Sequence, residues 1–401
     1  MSKNIRLWSY SLPVALMLLA PFNILASLGM DIYLPAIPTM PGVLGTTPAV
    51  VQLTLTLYMI MLGVGQIVFG PLSDRFGRRP VLIGGGVIFA AASLALAAIS
   101  SAELFLLLRL VQATGAAAVL VALFATIRDV YASRPESTVI YGLMNAMLAF
   151  VPAVGPIAGA LVMAWWGWRA IFLALGIPAL IVLALMLPAW HETRQVKEGQ
   201  QGAGFGSVLR SPAFWIYTIG FGTAMGTFFV FFSIAPRVLM DRAGFSELGF
   251  SLAFATVAIA MIITTRFAKA FVARWGIPGS VIRGMVMLIL GACLLAIGQL
   301  VLAPSFWSFI VPMWLIAVGI VFTTAVTANG ALQEFGETAG TAVALHFCIQ
   351  SLVVGIVGTG FVIMLDGSTA WPLITYAAGM AATTLIALFW LGGRDPHPQR
   401  A

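Results

Sequence analysis

The sequence predicts an all-α membrane protein, with twelve transmembrane helices arranged as two pseudo-symmetric six-helix bundles. Three observations carry that expectation. Of the 401 residues, 61% are hydrophobic and only 8% are charged, about a third of the charged share of a soluble domain. The apolar residues form long unbroken runs, each near the roughly 20 residues a helix needs to cross a bilayer; the weak alternating segments of a transmembrane barrel are not seen. The charges gather between the runs, and the most polar stretch lies at mid-chain. This composition excludes a soluble enzyme, a disordered chain and a secreted disulfide scaffold. The net charge of +7 reads as loop arginine and lysine, so no nucleic-acid partner is expected.

The first run, 11–34, follows a basic N-terminus. It is too long for the apolar core of a signal peptide and reads as a retained span. Pro21 kinks it. Asn23 stands near its middle and Asp31 near its far end. Run 49–70 carries Tyr58 and leads into Gly70-Pro71-Leu72-Ser73-Asp74-Arg75-Phe76-Gly77-Arg78-Arg79-Pro80, read as a loop whose glycines allow a tight turn. Runs 80–100 and 104–126 follow, the latter holding Arg109 and Gln112. Run 139–162 contains Met144, Met147, Pro152 and the group Gly155-Pro156-Ile157-Ala158-Gly159. Its small residues allow close helix approach and its prolines a bend. Run 170–190 closes a first half, 1–190. A polar linker, 191–212, precedes a second half, 213–401, with runs 213–236, 248–266, 281–302, 308–329, 340–364 and 371–392. Phe228, Phe229, Phe231 and Phe232 give the seventh run an aromatic face, either a drug wall or packing against lipid. His346 and Gln350 lie one turn apart on the eleventh, where His346 is a secondary proton carrier or simply a satisfied buried histidine. Cys293 and Cys348 have no metal-ligand spacing and read as small buried hydrophobes, so no metal site is expected.

An even number of spans places both termini on one side. With both inside, sixteen Lys and Arg fall on the cytoplasmic side and three outside (Arg169, Arg237, Arg242), while Arg109 lies within a span. That asymmetry follows the positive-inside rule. The halves also look duplicated. Arg75-Phe76-Gly77 and Arg274-Trp275-Gly276 are 199 residues apart, as are Pro13 and Pro212. Duplicated six-span halves suit a secondary transporter in which one half, 1–190, rocks against the other, 213–392. No phosphate-binding loop and no room for a nucleotide domain appear. No cofactor is therefore expected, and the energy should come from a proton or substrate gradient.

An arginine inside a span is costly and marks function unless it snorkels to the interface. Asp31 and Arg109 fall at similar depth at about 1.5 Å per residue. They could form a pair that proton binding at Asp31 breaks, or a permanent structural one. Asn23, Asp31, Tyr58, Arg109 and Gln112 would line the first half of a central cavity. Met144, Met147, Phe228, Phe232, His346 and Gln350 would complete it, with methionine and phenylalanine giving an adaptable apolar wall.

The Gly70–Pro80 segment resembles the signature G-x-L-a-D-r-x-G-r-r of the major facilitator superfamily. In that family it latches the halves in one state, a role the resemblance puts on Asp74, Arg75, Gly77 and Arg78. Arg109-Leu110-Val111-Gln112-Ala113-Thr114-Gly115 resembles the span-four signature R-x-x-q-g-x-g, with Ala113 for its first glycine, and implies proton coupling through Arg109. Gly155, Pro156 and Gly159 resemble the antiporter motif g-x-x-x-G-P-x-x-G. The stretches Ala20–Pro38, Ile127–Glu136, Met225–Pro236, Thr265–Lys269 and Thr327–Leu332 extend the likeness to the bicyclomycin/chloramphenicol-resistance branch of drug:proton antiporters. Within it, the chain is most like the phenicol exporters, which expel chloramphenicol and florfenicol. The resemblance implies a monomeric, multi-pass protein of the bacterial inner membrane with protons and these antibiotics as partners. One residue departs: the exporters carry an acid where this chain has Asn23. Asparagine cannot exchange protons, which implies drug binding with impaired coupling. A proton-coupled symporter or facilitator for another small amphipathic solute is the alternative, and the direction of solute movement separates the two.

Overall fold

The computed structural model describes residues 10–131, 134, 136–194, 205–335 and 339–392. All regular structure in them is helical, as hydrocarbon demands of backbone amides that water cannot satisfy. Ten helices are long and apolar enough to cross a membrane. One of them, Glu247–Val301, has 55 residues and breaks at Gly276 (φ 68°), so it is two spans. The helix Ser137–Trp166, apolar over Phe150–Trp166, supplies the remaining one.

In chain order the first unit holds α1 (Leu12–Asp31), α2 (Pro48–Phe76), α3 (Arg78–Ala98), α4 (Ala102–Tyr131), α5 (Ser137–Trp166) and α6 (Trp168–Ala189). The second holds α7 (Pro212–Pro236), α8 (247–275), α9 (277–301), α10 (Val311–Leu332), α11 (Ala339–Leu352) and α12 (Trp371–Gly392). By their packing the residues divide into two compact units, Met1–Gln200 and Gln201–Ala401. Proline at the first turn, with Thr47 and Ser211 accepting from the amides of Val50 and Phe214, starts α2 and α7.

Several helices run past the ends that hydropathy marks. α2 continues through Asp74 and Arg75 to Phe76, so the expected Gly70–Pro80 loop shrinks to Gly77 alone, at φ 108°. Hydropathy reports where hydrocarbon ends, whereas the i to i−4 hydrogen bonds continue into the headgroup layer. α8 likewise extends to 275 rather than 266.

Within the first unit, α3 packs on α4, α4 on α2, α1 on α5 and α3 on α6. The α3–α4 approach is glycine on glycine: a Cβ on Gly115 would lie 2.6 Å from the Gly85 carbonyl oxygen. Within the second, α9 meets α10 the same way, with a Cβ on Gly319 lying 2.6 Å from the Gly284 oxygen. Gly85 and Gly284 stand at the 199-residue offset noted above. Cys348 is buried as expected; Cys293 is exposed instead, because its face of α9 is turned away from the protein.

Candidate functional site

The polar centre of the first unit is built around Arg109, which is 0% exposed. Its Nη1 donates to the Gly29 carbonyl oxygen at 2.8 Å and to Gln112 Oε1 at 2.6 Å. Gln112, one turn on along α4, donates in turn to Ser93 Oγ on α3 at 2.8 Å. The guanidinium carbon lies 4.8 Å from the Tyr58 ring centre, 5.1 Å from Tyr33 and 6.0 Å from Phe172. Arg109 therefore does not snorkel; it is held in an aromatic box, with Nε and Nη2 lacking a hydrogen-bond acceptor among the described residues. Tyr58 donates its hydroxyl hydrogen to the Ala26 oxygen at 2.7 Å. Gly29 makes the approach possible, since a Cβ there would collide with the Tyr58 hydroxyl.

Asp31 ends α1 and is 8% exposed. The expected Asp31–Arg109 ion pair is not formed: none of the ion pairs among the described residues joins them. Arg109 Nη1 is engaged by a backbone carbonyl and an amide side chain instead. Similar depth along two helices did not fix which way the side chains turn. Asp31 faces α5, where a Cβ on Gly155 would lie 2.7 Å from the Asp31 Cβ. One turn further, a Cβ on Gly159 would collide with the Ile32 carbonyl oxygen. Pro156 lies between them, within α5. Gly155 and Gly159 thus bring α5 against the end of α1 that carries the acid. Asn23, fully buried two turns earlier, donates from Nδ2 to the Met144 oxygen on α5 at 3.1 Å, and its Oδ1 has no partner. The Met144 side chain is buried and that of Met147 partly so.

At the far end of the first unit, Arg78 is 4% exposed and bridges two acids. Its Nη1 lies 2.5 Å from Asp74 Oδ1 and its Nε 2.7 Å from Asp129 Oδ2. Arg128 flanks both acids at 3.9 and 3.7 Å. Arg75 accepts through its carbonyl from Arg194 Nη1 at 2.8 Å. Sequence reasoning missed the centrepiece, Glu192. Its carboxylate accepts from the amides of Arg78 (2.9 Å) and Arg79 (3.1 Å), at the start of α3, and from those of Thr193 and Arg194. An anion at a helix N-terminus answers unpaired amides and the helix dipole. A Cβ on Gly77 would collide with this carboxylate, so the glycine serves both the turn and the approach. Glu192 lies 114 residues from Arg78, and no local pattern marks it. Asp129 and Tyr33 were visible only as members of the Ile127–Glu136 and Ala20–Pro38 stretches; Ser93 had no signal.

In the second unit the expected residues fall in two places. Phe228 and Phe232 are buried, 6.1 and 6.0 Å from Phe254 by ring centre, beside Phe231, which stacks on Phe254 at 5.1 Å. This aromatic face is internal packing of α7 on α8, and lipid is not its neighbour. His346 is fully buried. Its Nδ1 lies 2.9 Å from Thr218 Oγ1, the rings of Phe221 and Phe347 flank it, and its Nε2 has no partner. Gln350 donates to its own helix, to the Phe347 oxygen at 3.2 Å and Ser351 Oγ at 2.8 Å.

Comparison with known proteins puts these features in context. A family model described as Major Facilitator Superfamily matches residues 19–359. A protein of Pseudomonas aeruginosa named "Chloramphenicol resistance protein" is 51% identical over 96% of this chain and 92% of its own length. A "Multidrug resistance protein MdtL" of Shewanella oneidensis is 26% identical over 82% of this chain and 85% of its own. Among solved structures, a bacterial homologue of the human lysosomal transporter Spinster matches with a TM-score of 0.71 over 96% of each chain at 15% identity, a likeness of fold.

Proposed function

Because this chain belongs to the major facilitator superfamily, we propose that it exports amphenicol antibiotics, chloramphenicol and florfenicol, from the bacterial cytoplasm in exchange for protons. The chain is a multi-pass membrane transporter of the drug-efflux kind rather than an enzyme. The inner membrane, cytoplasmic termini, a monomeric state and the proton gradient as energy source belong to the proposal. The 51% identity to a chloramphenicol resistance protein supports the substrate.

The observation that carries proton exchange is the placement of Asp31. Among the described residues it is the one buried Asp or Glu, and it sits where α1 meets the Gly155–Gly159 stripe of α5. Since no cation is paired with it, a proton arriving there breaks no ion pair. It changes the charge at a tight helix contact, which is a route from protonation to helix movement. Asn23 holds the same two helices together two turns away through its bond to Met144. An aspartic acid at that position could donate to the Met144 oxygen only while protonated. Asn23 therefore fixes in one state a contact that an acid would switch.

The test is accumulation of chloramphenicol and florfenicol in energised cells carrying the chain or its Asn23→Asp variant, with and without an uncoupler. We expect the variant to lower accumulation in an uncoupler-sensitive way and the chain itself to lower it less. Equal effects would assign coupling to Asp31 with Arg109. No effect from either, with both present in the membrane, would overturn the substrate, and inward movement would establish the symporter reading.

A further inference from the structure

In the first unit the two arginines that follow Gly77 have protein partners. Arg78 bridges Asp74 and Asp129, Arg79 donates to the Leu187 oxygen at 2.9 Å, and Glu192 occupies the space beside the glycine. The second unit repeats the backbone without those partners. Arg274-Trp275-Gly276 follows Arg75-Phe76-Gly77 at the 199-residue offset, and Gly276 turns with φ 68° where Gly77 has 108°. Where the first copy has Asp74, the second has Ala273. A Cβ on Gly77 would meet the Glu192 carboxylate, whereas a Cβ on Gly276 would meet nothing within 4 Å.

Around this open turn stand Arg266, Lys269, Arg274 and Arg283, all exposed, and none of them pairs with a carboxylate among the described residues. Arg266 and Arg274 are eight residues apart on α8 with Ala270 between them, so both project within about 80° of one another across roughly 12 Å of helix. Arg283 folds back from α9 over the Trp275 ring at 4.9 Å. On the same helix Phe267 is 61%, Ile263 55% and Ile259 48% exposed, whereas Phe271 packs on Trp275 and Phe322. Hydropathy ends the hydrocarbon near residue 266, so these cations stand in the headgroup layer, with Phe267 at its edge and the exposed Ile263 and Ile259 of α8 on the hydrocarbon side.

We propose that this surface of the second unit binds the phosphodiester headgroup of an anionic phospholipid, its acyl chains lying along Phe267, Ile263 and Ile259. The charge there is positive and lacks a protein counterpart, which selects an anion. The exposed apolar side chains beside it select an anion that carries hydrocarbon. A free phosphate or a soluble acidic peptide has no use for them. A basic pocket between helices at the edge of the bilayer has the chemistry that holds such headgroups, and arginine's planar fork suits a phosphodiester. The inference is independent of the transported substrate.

The experiment is native mass spectrometry of the full chain in detergent, titrated with dioleoylphosphatidylglycerol or dioleoylphosphatidylcholine. Phosphatidylglycerol should be retained at lower concentration than phosphatidylcholine. Each arginine near an anionic surface contributes about a fivefold factor, so R266Q/R274Q should weaken retention roughly 25-fold. R266K/R274K, which keeps the charge, should largely restore it. Millimolar inorganic phosphate should not displace the lipid. A second reading needs no variant: in nanodiscs, phosphatidylglycerol should slow phenylglyoxal modification of Arg274 and Arg283 relative to phosphatidylcholine, leaving Arg128 unchanged. Equal retention of the two lipids, undiminished binding by R266Q/R274Q, displacement by phosphate, or an unchanged modification pattern would each overturn the proposal.

Discussion

Arg109 is a full charge in a protein interior with no carboxylate paired to it, a placement that costs several kcal/mol unless dipoles replace water. The replacements are the Gly29 carbonyl, Gln112 Oε1 and the faces of Tyr33 and Tyr58. A desolvated cation–π contact contributes about 2 kcal/mol, and a hydrogen bond to a charged group about 1.5–3 kcal/mol. Gln112 is the pivot, because it binds Arg109 through its oxygen and Ser93 through its nitrogen. Gln112→Leu should therefore lower stability by about 1–3 kcal/mol, read as a fall in Tm in detergent, and should abolish efflux because Arg109 is no longer held. A Tm and efflux equal to those of the unmodified chain would show that Arg109 needs no positioning by Gln112. The sequence marked Arg109, Gln112, Tyr58, Asn23 and Asp31 by charge, polarity or motif. It did not reveal their pairings, because depth along a helix leaves rotamer and neighbour open. The role of Tyr33 went unnoticed for the same reason: an aromatic residue in an apolar run carries no sign that it faces a cation.

Helix pairs in a bilayer gain little from hiding apolar surface, so close contact between small residues decides which helices meet. Gly155 and Gly159 show this on α5: one faces Asp31 and the other the Ile32 carbonyl. In an exposed helix, Gly→Ala gains up to about 1 kcal/mol. Gly159→Ala should reverse that sign, because its Cβ collides with α1 backbone and overpacking costs about 1–3 kcal/mol. Gly142→Ala on the same helix, where a Cβ meets nothing within 4 Å, should be neutral or stabilising. The pair of Tm values isolates packing from propensity, and equal effects would refute the contact. The small-residue motif was legible; its partner helix was not. The connection between α11 and α12 answers to charge instead. Asp366 accepts from the Ser368 amide at 2.9 Å and its hydroxyl at 2.8 Å, with Arg242 at 3.4 Å. The Ser368 hydrogen bonds, and then Arg237 and Arg242, hold its carboxyl below the usual aspartate range. A lowered folded-state value means the stabilisation is complete above roughly pH 3.9 and is lost as pH falls through the folded-state value. Asp366→Asn should thus melt below the unmodified chain at neutral pH, and the two curves should converge in acid. A difference independent of pH would assign the effect to shape rather than charge.

For the molecule as a whole, the number of spans was legible because length and apolarity suffice to count them, and the duplication showed through short matches at one offset. Helix ends were less legible, since α2 and α8 carry charged residues beyond the hydrocarbon while keeping helical hydrogen bonds. The neighbours of the aromatic run of α7 were not legible, because a helix apolar all round gives no periodicity to say which side is inside. Glu192 was legible only as part of the polar linker, yet it determines how the chain can be divided. Each unit is compact in itself, and Glu192, though it follows α6, bonds to the start of α3 in the first unit. Co-expressed fragments 1–200 and 201–401 should therefore restore efflux, whereas neither alone should. Fragments 1–190 and 191–401 should restore much less, because that cut moves Glu192 to the other chain and leaves the α3 amides and the Gly77 turn without their anion. Drug accumulation with both fragments quantified in the membrane reads the comparison. Equal rescue by the two cuts would mean that the carboxylate is dispensable to the first unit. Rescue by neither would mean that the covalent link between residues 190 and 201 is itself required.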